Sequence, residues 1–179
     1  SAELAGGEGF TFEGDAAAYY LSALLAEAYA PGIEDRHVVR VSVQQRALGE
    51  PLDDVIVDFE ASSGDPARLS LQVKRALTIS NAQTNTEFRE IIRDSWATLK
   101  TSHFRIGTDR YGAAVGSVAV GKERALKTLC DWARESLTAG HFEARFGEHG
   151  SASADVQGVK YDVSALLNEA RGTPCTSEE

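Results

Sequence analysis

Two short runs constrain this chain most: Leu52-Asp53-Asp54-Val55-Ile56-Val57-Asp58-Phe59 and Leu69-Ser70-Leu71-Gln72-Val73-Lys74. Each is rich in Val, Ile, Leu or Phe in an alternating or near-continuous pattern, which predicts a β-strand. Strand side chains repeat every two residues, so Gln72 and Lys74 share a face. The segment between them, Ala61-Ser62-Ser63-Gly64-Asp65-Pro66-Ala67, carries the residues of a chain reversal. A hairpin of this kind brings an acid, an amide oxygen and a lysine together. Those groups suit a divalent metal next to a phosphate.

Bulk properties set the outer bounds. The 179 residues and 42% apolar content are ordinary for one globular domain. No run has the length of a membrane span, and no secretory signal is visible. Cys130 and Cys175 lack a metal-binding rhythm, which points to a reduced, cytoplasmic protein with Cys130 as a buried small hydrophobe. The chain opens on Ser1, not Met, as a processed start, a tag remnant or an excised fragment would.

The net charge of −9 argues against general nucleic-acid affinity. Its distribution softens that objection. Residues 1–67 hold 13 acids against three arginines, and 111–179 hold ten acids against seven bases. Residues 68–110 hold eight Lys or Arg against four acids, so the one basic region follows the candidate hairpin. Part of the acidic excess fits metal-binding carboxylates.

Along the chain, residues 1–8 read as a loose lead-in. A helix is expected over Phe12 to Ala30, ended by Pro31-Gly32. Strands follow at Val38 to Val43, with room to extend to Arg46, then at the Asp53 run and at Arg68 to Arg75. Phe88, Ile91, Ile92, Trp96 and Leu99 recur at helical spacing and predict a helix from Thr84 to Leu99. Tyr111 to Val120 reads as a fourth strand, rich in small residues. Lys122 to Thr138 reads as a helix with Leu126, Leu129, Trp132, Ala133 and Leu137 inward. A short helix is expected at Val163 to Ala170, and residues 172–179 read as the start of a linker. This order implies a mixed sheet covered by helices, α/β or α+β, in a domain spanning 9–171.

Asp54 is the first metal-ligand candidate, since an unpaired carboxylate entering a hydrophobic strand is costly when buried. Asp53 competes with it, because alternation puts neighbours on opposite faces. The plainer reading is that both acids start a strand and face solvent. Asp58 shares parity with Asp54 but lies roughly 13 Å along the strand, which suits an edge residue or a salt-bridge partner. Gln72 offers an amide oxygen to a hard cation, Val73 a backbone carbonyl, and Lys74 a donor to a phosphate. The plainer alternative is the polar edge of an amphipathic strand. Glu13 either reaches the same site or simply favours a helix N-terminus.

The order Gly9-Phe10-Thr11-Phe12-Glu13, Asp54 before a hydrophobic strand, then Gln72-Val73-Lys74 resembles the restriction-endonuclease-like PD-(D/E)xK superfamily. Within it, the chain is most similar to Mrr-like enzymes and to the double-stranded DNA endonuclease domains of bacterial anti-phage effectors. Ala16-Ala17-Ala18-Tyr19-Tyr20-Leu21 with Leu24-Leu25 resembles the opening helix of the latter. The resemblance implies an α/β fold with a restriction-endonuclease-like mixed central β-sheet flanked by helices. It implies a magnesium-dependent nuclease, with Mn²⁺ able to substitute. Asp54 would be the central metal-binding acid, Gln72 would stand where Glu or Asp is usual, Lys74 would be the family lysine and Glu13 the helical acid. No proline precedes Asp54, a departure from the parent pattern. The resemblance also implies a fused C-terminal sensor module and homo-oligomerisation on activation.

Arg75, Arg89 and Arg93 are the candidate phosphate contacts on double-stranded DNA, with no membrane partner expected. The last two are four apart and fall away from the Phe88, Ile92 and Trp96 stripe; pairing with Glu90 and Asp94 is the alternative. His37, His103, His141 and His149 form neither HxH nor HExxH. Two other readings stand beside the nuclease: a catalytically silent nucleic-acid-binding or assembly domain, and an RNA nuclease.

Overall fold

The computed structural model describes residues 8–172. Expectations that fall on 1–7 and 173–179, including most of the tail and Cys175, lie outside the described residues. The fold is α/β: a mixed four-stranded sheet in the order β1-β2-β3-β4, flanked by helices. The elements are α1 (Glu8–Leu25), β1 (His37–Val43), β2 (Val55–Glu60), β3 (Pro66–Leu77), α2 (Thr86–Leu99), β4 (Arg110–Val118), α3 (Val120–Glu135), α4 (Ala139–Ala144) and α5 (Ala154–Arg171). By contact density the chain divides into two compact units. One runs to Ala76 and includes Asp94–Gly116; the other comprises Leu77–Arg93 and the chain from Ser117.

In the first unit, β1, β2 and β3 form an antiparallel meander. Its odd-numbered β2 and β3 positions, Val55, Val57, Phe59, Leu69, Leu71 and Val73, are buried in one core with Ala17 and Tyr20 of α1. Burial of these side chains is worth about 1.5–3 kcal/mol each for the larger ones, which makes the alternation binding on the register. A one-residue slip would take all of them out of this core and turn Gln72 and Lys74 toward it.

The sequence places α1 too far along. It ends at Leu25, because Glu27 adopts a left-handed backbone (φ 50°) and Tyr29 instead bridges to His37. Gly32 then turns at φ 108°, where an added Cβ would lie 2.5 Å from the Leu69 side chain. The β1 strand stops at Val43, since Gln44 is left-handed and a 3-10 turn occupies Gln45–Leu48. The small residues of β4 do allow close packing: a Cβ on Gly116 would sit 2.7 Å from the Arg75 carbonyl oxygen and 3.0 Å from the Phe12 ring.

In the second unit α3 packs on α5. The α5 helix is far longer than Val163 to Ala170. Ser153 caps it by accepting from the Val156 N–H at 3.4 Å, and Gly172 closes it at φ 68°. Its buried Val156, Val159 and Leu166 are spaced for one face, a pattern obscured by Gly158 and the polar residues around it. Two further expectations are corrected. Leu137 lies beyond the end of α3 and is 88% exposed, and Ala133 is exposed too. Cys130 is also exposed, not buried.

Candidate functional site

The site is built by register. The β2–β3 pairs are Asp58↔Arg68, Val57↔Leu69, Ile56↔Ser70 and Val55↔Leu71. One further step sets Asp54, at the entry to β2, opposite Gln72. Partners across an antiparallel pair share a face, so Asp54 and Gln72 lie on one side, and Lys74 follows by parity. The side chains agree. The Gln72 amide nitrogen donates to Oδ2 of Asp54, and the Val73 N–H donates to the same oxygen at 2.7 Å. The Val73 side chain turns the other way, into the core.

Asp54 is half-buried, and burial pushes its carboxyl up to about 6, against the opposing pull of the Val73 N–H. The Glu13 and Asp53 charges raise it further, and Lys74 lowers it. Glu13, on the first half of α1, and Lys74, on β3, therefore both lie within electrostatic reach of Asp54. Gln72 touches Asp54 directly, and Glu13 and Lys74 act on it through their charges. Among the described residues, Asp54 makes no ion pair.

Asp53 is engaged elsewhere. Its Oδ1 accepts from Nε and Nη2 of Arg46 at 3.1 and 2.8 Å, and the same Nη2 reaches Asp94 at 3.1 Å. Both acids are buried, and Arg46 supplies their counter-charge. Asp53 is thus a structural carboxylate that pins the 3-10 turn, while Asp54 faces the cluster. Asp58 is also a salt-bridge residue, held by Arg40 at 2.6 Å and Arg68 at 2.8 Å.

The proposed phosphate contacts fare differently from one another. Arg75 is exposed on β3, directly after Lys74. Arg93 is exposed on α2. Arg89 is half-buried, paired with Glu169 and donating to the Asn81 carbonyl at 3.2 Å. That partner is neither Glu90 nor Asp94, and Asp94 pairs with Arg46.

Oxygen donors are the kind a hard cation takes. The oxygen-bearing groups of this region are two carboxylates (Asp54 and Glu13), the Gln72 amide and the Val73 carbonyl, while the atoms that face Asp54 are the Gln72 amide nitrogen and the Val73 N–H. Among the described residues, no group of three or more His, Cys, Asp or Glu is placed to hold a metal. A cation here would depend on the amide and on backbone oxygen. Two of the histidines make structural contacts: His37 stacks on Tyr29 and bonds the Glu27 carbonyl at 3.0 Å, and His103 meets Glu50 at 3.2 Å.

Sequence reading missed a second polar region in the same unit. A groove of about 610 Å³ is lined by Arg40, Asp58, Arg68, His103, Arg105 and Asp109 among others. Arg68 bridges Asp58 and Glu50, and Arg105 grips Asp109 at 2.7 Å. Its pairs join residues 4 to 53 positions apart, so no local pattern signals it. No family model matches this chain, and neither a curated protein nor a solved structure matches it.

Proposed function

We propose that this chain is a metal-dependent double-stranded DNA endonuclease domain of restriction-endonuclease-like fold, acting as an effector in bacterial anti-phage defence. The reading rests on Asp54, which accepts from Gln72 and the Val73 N–H, feels the charges of Glu13 and Lys74, and has no ion-pair partner among the described residues. Asp54, Glu13, the Gln72 amide oxygen and the Val73 carbonyl would hold Mg²⁺ or Mn²⁺. When bound, the cation supplies a lower pKa for a coordinated water and polarises the scissile phosphate. Lys74 donates to a phosphoryl oxygen as charge grows there, and orients the attacking water. Arg75, Arg89 and Arg93 contact the duplex backbone, which gives affinity without base reading. By the family resemblance, the products carry 5′-phosphate and 3′-hydroxyl ends, and a C-terminal sensor module drives oligomerisation.

A second reading, a silent nucleic-acid-binding or assembly domain, draws on a specific observation. Oδ2 of Asp54 already accepts two hydrogen bonds within the protein. The experiment that separates the two is Mg²⁺-dependent cleavage of plasmid DNA by the full-length protein and its Lys74→Ala form. Cleavage by wild type and its loss in a folded Lys74→Ala protein is the expected result. Equal turnover by both removes Lys74 from the chemistry.

A further inference from the structure

Gln72 stands where the resembled family usually has an acid, and its geometry gives that exchange a reason. A carboxylate only accepts hydrogen bonds. Oδ2 of Asp54 already accepts from the Val73 N–H, and the Gln72 atom on the same oxygen is the amide nitrogen. The amide is planar, so its oxygen points from the opposite side of the group. The charges of two more acids, Glu13 and Asp53, act on Asp54, and Lys74 acts against them, while Arg46 pairs with Asp53. A glutamate at this position would set acceptor against acceptor at Oδ2 and add a third neighbouring charge.

We infer that Gln72 is a two-ended positioning residue, whose amide nitrogen clamps the Asp54 carboxylate when no cation is bound. Its oxygen end is left for the cation, and that part rests on the proposed function. The nitrogen end does not depend on it. The residue trades an anionic ligand for a site that stays folded while empty.

The test is a double-mutant cycle read by thermal unfolding, in EDTA and in saturating Mg²⁺. Wild type, Gln72→Glu, Asp54→Asn and the double variant are compared. In EDTA, Gln72→Glu should melt about 5 °C below wild type, the scale for losing one charge-assisted hydrogen bond in a chain of this size. In the Asp54→Asn background the same change should cost almost nothing. There residue 54 carries no charge, so the introduced carboxylate meets no carboxylate at this contact and the repulsion behind the penalty is absent. If Gln72→Glu is unfolded in EDTA while the double variant folds, the clamp is supported more strongly. Equal melting of wild type and Gln72→Glu in EDTA overturns it, and so does an equal penalty in both backgrounds. The Mg²⁺ arm separates the two ideas. A coupled cycle in EDTA with no Mg²⁺ shift in wild type or Gln72→Glu keeps the clamp and removes the metal. A Mg²⁺ shift without coupling keeps the metal and removes the clamp.

Discussion

Asp54 and Asp109 are both withdrawn from water in the same unit, and their surroundings drive them in opposite directions. Asp109 accepts from the Arg68 N–H at 2.9 Å, the Arg105 N–H at 2.8 Å and the Arg105 guanidinium at 2.7 Å. Burial alone would raise its carboxyl, but those donors outweigh burial and hold it below the ordinary value of 3.8. Asp54 accepts from one amide and one N–H, makes no ion pair among the described residues, has two acids close by, and is pushed up to about 6. The other buried acids follow Asp109: Arg46 serves Asp53 and Asp94. A carboxylate kept for structure brings its own cation. A half-buried carboxylate without one is better placed to receive a cation from outside.

The largest effect that can break this contrast is on chemistry. Asp54→Asn replaces the charged centre of the cluster with a neutral amide, and should lower Mg²⁺-dependent DNA cleavage by about 10³-fold or more. Gln72→Glu should retain more activity, because it keeps an oxygen ligand and adds a charge. A Mg²⁺ titration of cleavage checks both. Unchanged metal dependence in Asp54→Asn would move the ligand role to another acid.

Stability should show the reverse ranking. Asp109→Asn presents an N–H₂ to a site made of donors, and should cost about 3 kcal/mol by denaturant unfolding. The pH dependence follows from the lowered folded pKa. Between that value and 3.8, the unfolded chain binds the proton and the native carboxylate does not, so stability rises with pH in that window. The Asp109 contribution is complete above about pH 4 and is lost as pH falls through the folded pKa. Wild type and Asp109→Asn should therefore converge in acid and stay separated near neutral pH. A gap that is constant down to strong acid would show that the charge of Asp109 is not what holds it.

The cations sharpen the contrast further. Lys74 is without an ion pair among the described residues, whereas Arg89 is bound to Glu169. The double change Arg89→Ala, Arg93→Ala should weaken binding to unrelated duplexes and flatten the salt dependence by up to about two phosphate contacts, leaving the Mg²⁺ requirement intact. Fluorescence anisotropy over a salt series, with cleavage-blocked protein, reads this. An unchanged slope would assign both arginines to structure.

The smallest expected effect is the stability of Asp54→Asn itself. In EDTA it should unfold within about 0.5 kcal/mol of wild type, since relief from Glu13 and Asp53 offsets the weaker acceptor. A loss as large as that of Asp109→Asn would make Asp54 another structural acid and remove the basis of the comparison.

Much of this was legible in the chain because it is local. Period-two alternation in 52–59 and 69–74 is enforced by burial of one sheet face, and it sets Gln72 and Lys74 together. The Phe88 and Ile91 spacing likewise finds α2 within two residues of its observed start. Errors arose where contacts over distance overruled local pattern. Ser153 and the buried Val156, Val159 and Leu166 extend α5 through a polar, glycine-containing stretch. A left-handed Glu27 ends α1 before its helix-forming residues run out.

The choice between Asp53 and Asp54 divides what the sequence determined from what the fold decided. Alternation alone says that the two neighbours face opposite sides, and says nothing of which of them joins an ion pair. That depends on Arg46 folding back seven residues and Asp94 arriving from 48 residues beyond it to close one ion network. The approach of Glu13 on α1 leaves the other acid in a crowd. Hydrophobic periodicity acts through nearest neighbours and can be read along a chain. The charge environment of a carboxylate is a sum over everything within a few ångströms, and only the packed structure decides what those neighbours are.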